Sequence, residues 1–348
     1  MNRHDMSAHF YRRMVSSRRI LLNFVLAACA LLLVYLLSLF APDVLAQGSP
    51  GFSQSSNLAN SERIPSSYST LLGGERGLDG VLFLASLAIH QPHAHVYISS
   101  DSHTYEWFLE HARVLFHRLN LHWTLALDKH QSASSRAEME AAKTWANFML
   151  EKVAIMETAL THHNDTMLLD ADFVVLEPIH LPTDAQYQLG VSPHYIKACK
   201  GKMYGVYNGG MLWTNQMSLG AAWRNATTSS RYFEQAAIED LVRSYTPHFE
   251  FGPEHNVGFW RVVHDEVSPE EFYSHLYYDA SAQKIMLKNQ TVATFHTHIL
   301  TRYPYAVGND FSSNLVKMMR MSSDPNYVQL MRAVQWGQSG HVPPQMVL

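Results

Sequence analysis

Residues 166–179 read Thr-Met-Leu-Leu-Asp-Ala-Asp-Phe-Val-Val-Leu-Glu-Pro-Ile. Thr166–Leu169 is a short, mostly apolar run of the kind that forms a buried strand, and the apolar sequence resumes at Phe173–Leu176. Between the two runs stand Asp170 and Asp172. A carboxylate beside a buried strand is costly unless it is paired or bound to a metal, and two in close succession raise that cost. A divalent cation relieves it, and hard oxygen ligands suit manganese or magnesium. An Asp-x-Asp on a polar surface would mean little; its setting between two apolar strands gives this one weight.

Working outward, apolar strand-like runs alternate with helical patterns. Tyr68–Leu72 reads as a short strand ending at Gly73-Gly74, Leu78–Ile89 as an apolar helix, and His95–Ser99 as a buried strand ending near Asp101. Tyr105–Leu119 has helical spacing, Leu121–Leu127 reads as a strand, and Ser135–Thr161 as one long helical region with a single break. The alternation predicts an α/β sandwich with a mostly parallel central sheet flanked by helices. Ligands in such sheets gather at the carboxyl ends of the strands, where Asp101 and Asp170 both fall.

At 348 residues and 47% hydrophobic content, the chain is long enough for one sizeable catalytic domain with short appendages. A formal net charge of −4, with no basic stripe, argues against a nucleic-acid partner. Of the two cysteines, Cys29 lies in an apolar run and leaves Cys199 without an evident partner, which excludes a disulfide framework. The 21 histidines are many; beyond compositional drift, they suit metal binding or a mildly acidic compartment.

Ile20–Ala41 is almost wholly apolar and follows Arg3, Arg12, Arg13, Arg18 and Arg19. A spanning helix needs roughly 20 apolar residues, and the flanking arginines keep the N-terminus cytoplasmic. The expected layout is a cytoplasmic tail (1–19), a transmembrane anchor (20–41), a flexible stem (42–67) rich in Ser, Asn, Gly, Pro and Gln, and a catalytic domain (68–348). The competing reading is a cleaved signal peptide ending near Val44-Leu45-Ala46, which would release the domain into a secreted or periplasmic state.

Four segments, in order, carry a family resemblance. Trp145, Phe148, Lys152 and Leu160 lead into Leu168-Leu169-Asp170-Ala171-Asp172; Tyr207-Asn208-Gly209-Gly210-Met211-Leu212-Trp213 follows, then Phe233–Glu239, then Phe295-His296-Thr297-His298. Together they resemble the nucleotide-diphospho-sugar transferases of the GT-A fold, the glycogenin-like and plant wall-type glycosyltransferases with a DxD motif, over roughly Tyr68–Ile299. The resemblance implies that Asp170 and Asp172 hold a divalent metal, manganese before magnesium, completed by His296 or His298. It implies that Lys152 reaches a phosphate or the donor sugar and that Asp101, Asp170, Asn208, Gly209 and Gly210 line the donor. Glu234 and Gln235 would then lie near the anomeric carbon as catalytic residues beside the two aspartates.

Each assignment has a plainer alternative: a solvated helix lysine at 152, packed core histidines at 296 and 298, a tight turn at Gly209-Gly210, and first-turn helix residues at 234 and 235. Two departures stand out. The family often has Asp-Gln where this chain has Glu234-Gln235, and the usual His-x-x-Gly-x-x-Lys-Pro-Trp tail is missing, leaving Arg302 and Lys317 as the later cations.

The resemblance implies transfer of a sugar, from a uridine diphosphate carrier first, to a glycan, protein or lipid acceptor. It leans towards retention; were the reaction inverting, Glu239, Asp240 and Asp265 would be the candidate bases. The competing functions are a metal-dependent hydrolase or phosphotransferase using the same acids, and a non-catalytic membrane-tethered sugar-binding domain. The aromatic segment Glu250–Trp260 reads either as an acceptor platform or as a clamped structural loop. Asn164, Asn225 and Asn289 begin glycosylation sequons. The topology implies a single-pass type II protein of the Golgi or endoplasmic reticulum lumen in a eukaryote, and pairing through anchor and stem would give a homodimer.

Overall fold

The computed structural model describes residues 63–74, 77–130, 136–184, 186–264 and 267–339, all within one unit spanning Ala59–Leu348. The expected tail, anchor and stem up to residue 62 lie outside the described residues, as does Asp265. No helix among the described residues is long and apolar enough to cross a membrane. Residues 63–67, placed in the stem by composition, are tied into the domain. Arg63 bridges Leu181, the Ser66 amide donates to Asp165 Oδ1 at 2.8 Å, and Ser67 is buried.

The strands are β1 (Tyr68–Leu72), β2 (His95–Ser100), β3 (Asn120–Thr124), β4 (Thr166–Leu169), β5 (Phe173–Val175), β6 (Leu189–Pro193), β7 (Tyr207–Thr214), β8 (His248–Glu250), β9 (Val257–Gly258), β10 (Leu276–Asp279), β11 (Lys284–Leu287), β12 (Gln290–Thr291) and β13 (Thr294–His296). Seven form the main sheet in the order β3-β2-β1-β4-β7-β6-β8. β1 to β4 pair in parallel, β7 runs antiparallel to β4 and β6, and β8 is parallel to β6. The expected mostly parallel α/β sheet is therefore present. β4 and β7 are buried along their whole length, as strands covered on both faces must be, which is why Thr166–Leu169 carries no polar alternation.

Gly77–His90 forms a helix buried for most of its length, packed against β5 on one side and the helix Pro325–Ser339 on the other. Gly80 permits the helix to approach the end of β1 closely, since a Cβ there would lie 2.0 Å from Leu72 Cδ1.

Three expected elements are shorter than their sequence pattern. The 105–119 helix is two: Ser102–His111 ends at Ala112, and Leu115–Arg118 makes a separate turn. The strand expected to run to Leu127 stops at Thr124, where Ala126–His130 turns as a 3₁₀ helix and buries Leu127. The 135–161 region breaks into Arg136–Ala141, Trp145–Met149 and Glu151–Leu160, with Lys143 at φ 58° marking one break.

The strand that follows the two aspartates leaves the main sheet. β5 pairs antiparallel with β13, which pairs in parallel with β9, so Asp170-Ala171-Asp172 spans the junction between the two sheets. The register sets His296 opposite Phe173, the residue next to Asp172.

Candidate metal centre

Asp170 leaves β4 with its amide bonded to the Gly210 carbonyl of β7 at 2.9 Å, which fixes the backbone of the motif against the neighbouring strand. β13 then brings His296 over it. His296 Nε2 lies 3.1 Å from Asp172 Oδ1 and 3.8 Å from Asp170 Oδ2, and these three residues can direct one ligand atom each to a common point. Phe173 and Trp260 pack against the imidazole, with ring centroids 4.4 and 5.0 Å away. His298, two residues on, places Nε2 3.4 Å from Asp172 Oδ2.

The second nitrogen of each ring settles which one faces the acids. His296 Nδ1 lies 3.0 Å from Asn256 Oδ1, and Asn256 Nδ2 donates to Ser192 Oγ at 2.9 Å. With its amide nitrogen so used, Asn256 offers His296 an acceptor, so Nδ1 donates to it and Nε2 is the nitrogen turned towards the carboxylates. His298 repeats the device with Asp79, whose Oδ2 accepts from Nδ1 at 3.0 Å. Acceptors converging on acceptors is an arrangement that a cation, or protonation of the rings, must hold together.

Asn256 and Asp79 are themselves held. Asn256 sits at φ 53°, its amide bonded to Thr294 Oγ1, while buried Arg261 donates to the carbonyls of Pro253, His255 and Asn256. These bonds clamp the segment Glu250–Trp260 and aim Asn256 at His296. Asp79, on the helix Gly77–His90, accepts from the amides of Ile299 and Leu300 at 3.0 and 2.8 Å and from the Thr301 hydroxyl.

Lys152 lies near the start of the helix Glu151–Leu160 and is 3% exposed, so it is no solvated lysine. Its Nζ stands 2.7 Å from Asp170 Oδ1, 3.6 Å from Glu234 Oε1 and 3.2 Å from the Gly209 carbonyl. Burial works against the ammonium, yet Asp170 and Glu234 outweigh it and raise the pKa. Burial also pushes the Glu234 carboxyl up, which Lys152 only partly reverses. Gly209 and Gly210 form no turn; they lie inside β7. Their lack of side chains serves close approach, because a Cβ at Gly210 would lie 2.5 Å from His296 Cε1 and 2.6 Å from Asp170 Oδ2.

The other expected residues bond to groups close by. Asp101 caps the helix Ser102–His111, accepting from the Thr104 amide and hydroxyl and the Gly74 amide. Asn208 donates to His194 Nε2 and accepts from the Gly210 amide. Gln235 uses both ends of its amide, accepting from the Gly209 amide and donating to the Tyr204 carbonyl. Glu239 is bound by Arg231 and the Val206 amide, and Asp240 by Arg243. Lys317 lines an open cavity of about 1000 Å³ with Lys197 and Tyr273, which none of the acid–histidine residues lines. Asp79 was legible only as a lone acid in an apolar helix.

The donor set of two carboxylates and one or two imidazoles fits a hard-to-borderline divalent ion. No protein-family model matches the chain, and no curated protein sequence matches it. Among solved structures it is similar to the bifunctional glycosyltransferase WbbM, at 11% identity and a TM-score of 0.46, over 81% of this chain and 53% of that one. It is also similar to the galactosyltransferase LgtC in complex with donor and acceptor sugar analogs, at 12% identity and a TM-score of 0.43, over 72% of this chain and 94% of that one. A third is the glycosyltransferase GlyE of Streptococcus pneumoniae, at 13% identity and a TM-score of 0.44, over 80% and 66%. The chain spans about half the length of the WbbM structure. At these scores, the reading of the site rests on the chain's own residues.

Proposed function

We propose that the chain is a GT-A-type glycosyltransferase that moves a sugar from a nucleoside-diphosphate donor, uridine diphosphate first, to a hydroxyl of a glycan, protein or lipid. Asp170, Asp172 and His296 hold a divalent cation, manganese before magnesium, and His298 stands beside them on Asp172. When bound, the ion neutralises the donor diphosphate and the charge that develops on it as the sugar leaves.

The carrying observation is the pair of oriented imidazoles, each with Nδ1 engaged by an oxygen acceptor and Nε2 turned onto the carboxylates. A hydrolase using two metals would call for more clustered acids, and the described residues contain this one candidate metal cluster. Lys152 holds Asp170 in place and keeps positive charge at the phosphate side, while Glu234 brings a buried carboxyl to the same ammonium. Gly209 and Gly210 leave the floor of the site free of side chains. Residues 20–41 anchor the domain to a membrane as a type II protein, on the lumenal side in a eukaryote.

The test follows thermal unfolding of the purified full chain with uridine or guanosine diphosphate, each with and without manganese. A ligand that binds only the native state stabilises by about 2.7 kcal/mol at a hundred times its dissociation constant. The expected result is stabilisation by one nucleotide only when the metal is present, lost in Asp172→Asn while the fold persists. A folded protein that responds to neither nucleotide under any metal condition would overturn the proposal.

A further inference from the structure

Next to the metal centre the chain builds a stack of aromatic rings that ends in solvent. Tyr303 packs on His298 with ring centroids 4.4 Å apart, and its hydroxyl accepts from the His298 amide at 3.1 Å. Tyr305 stacks on Tyr303 at 5.4 Å with an interplanar angle of 23°, and Phe259 flanks it at 5.2 Å. One side chain locks the backbone that carries both tyrosines. Asn309 Oδ1 accepts from the Tyr303 amide, and its Nδ2 donates to the carbonyls of Tyr303 and Tyr305. Gly308 leaves room for the inner ring, since a Cβ there would lie 2.4 Å from Tyr303 Cδ2. The outer ring, Tyr305, is nevertheless 44% exposed. An exposed ring held this firmly gives up little freedom when a ligand covers it.

A cavity begins where the tyrosines end. Ala306 and Val307, the first residues of the helix Ala306–Met321, line the open cavity of about 1000 Å³. Val262 and Val263 of the helix Trp260–His264 form a second wall, and Trp260 at the start of that helix packs on His296 at 5.0 Å. Both walls therefore lead away from rings that pack on the two imidazoles of the metal centre. Lys197, Asp310 and Asn314 also line the cavity, so charged and amide groups stand among the valines.

We propose that Tyr305 and this cavity are the acceptor side of the site, and that the acceptor is an oligosaccharide whose terminal sugar rests on the Tyr305 ring. A pyranose has an apolar C–H face that suits an aromatic ring and a rim of hydroxyls that needs polar partners. The valines and the polar side chains of the cavity meet both needs for the sugars that follow. An acyl chain in the same place would bury Lys197 and Asp310 against hydrocarbon without hydrogen bonds. The inference rests on the transferase reading above and selects a glycan from its acceptors. Tyr305 acts in it as a positioning residue that holds the sugar beside the metal centre.

The test uses the full chain with manganese and whichever of uridine or guanosine diphosphate stabilises it. Saturation-transfer NMR then follows the binding of mannose, galactose, glucose and xylose, each as the methyl glycoside and as a linear oligosaccharide. Decyl phosphate and a serine-rich peptide stand for lipid and protein acceptors. One sugar series should bind, more tightly as the oligosaccharide than as the methyl glycoside. Tyr305→Ala should weaken both forms by about tenfold, and Tyr305→Phe should keep the parent's affinity. Val263→Glu, at a half-exposed position of the cavity wall, should remove the gain from chain length and leave the methyl glycoside unaffected. The manganese-dependent response to nucleotide shows that each variant is folded. If the parent lacks that response, the transferase reading fails and this inference with it. With the response present, the inference alone is overturned by any of three results. These are binding of decyl phosphate or peptide but no saccharide, saccharide affinity that ignores chain length, and equal affinity in Tyr305→Ala.

Discussion

A methyl group on residue 210 would sit 2.5 Å from His296 Cε1 and 2.6 Å from Asp170 Oδ2, contacts that real side chains do not make. Gly210→Ala should therefore push the imidazole and the acid apart while leaving β7 formed, because its backbone is ordinary strand. Manganese-dependent stabilisation by a nucleotide should be lost, with the melting temperature of the metal-free protein changing far less; an unaltered nucleotide response would show that His296 is not a ligand. Lys152 makes the complementary point about charge. Lys152→Met leaves Asp170 and Glu234 without their shared ammonium, and removing one partner of a buried ion pair costs about 3–5 kcal/mol. The urea midpoint of the variant should fall accordingly, and added manganese should restore part of it. The sequence singles out Asp170, Asp172, His296 and the two glycines by type and order, and the fold brings these five together. Asp101, Asn208 and Gln235 were read there as donor or catalytic residues, yet each spends its polar atoms on nearby backbone or on His194. Such commitments depend on which neighbours the fold supplies, and a residue's type does not reveal them.

At the level of elements, the two apolar runs around the aspartates were readable as strands, but not that they belong to different sheets. β4 is interior to the main sheet, while β5 turns away to meet β13, about 120 residues later in the chain. Periodicity reports which face is apolar and says nothing of a distant pairing partner, so the route by which His296 reaches Asp172 was hidden. The helix breaks were hidden too: residues 112–114 and 142–144 carry no Gly or Pro to mark an end, yet the helices stop there, with Lys143 at φ 58°. The helix Gly77–His90 and the segment 298–301 depend on each other through Asp79. Asp79→Ala should expose the Ile299 and Leu300 amides to rapid hydrogen exchange and leave His298 unoriented. Loss of an outer partner of this kind typically costs 10–100-fold in metal affinity. Manganese titration should show a weakening of that order if His298 supports the ion, and an unchanged affinity would confine the metal to Asp170, Asp172 and His296.

Among the described residues, several histidines sit where burial resists their protonation. Burial lowers the pKa of His90, His194 and His255 to about 4, in each case the largest cause; Lys284 adds to it at His90, and Arg261 and His180 at His255. Among the described residues, His90 Nε2 and His255 Nδ1 have no hydrogen-bond partner to stabilise an added proton. An imidazole whose folded pKa lies below its unfolded value binds fewer protons in the native state, so its contribution is complete above about pH 6.5 and is lost as pH falls towards 4. A difference of that size corresponds to about 3 kcal/mol for each imidazole. Glu234 and Glu254 act in the opposite sense, because burial raises their pKa and the native state gains relative stability as they protonate. Comparing variants cancels that contribution. The melting temperature of the parent should fall through this window, and His90→Gln and His255→Gln should each flatten the fall whatever their effect at pH 7. A slope identical to the parent's in both variants would mean that these rings accept protons in the folded chain as readily as in the unfolded one. The chain's many histidines would then have to be explained by their ligand chemistry alone.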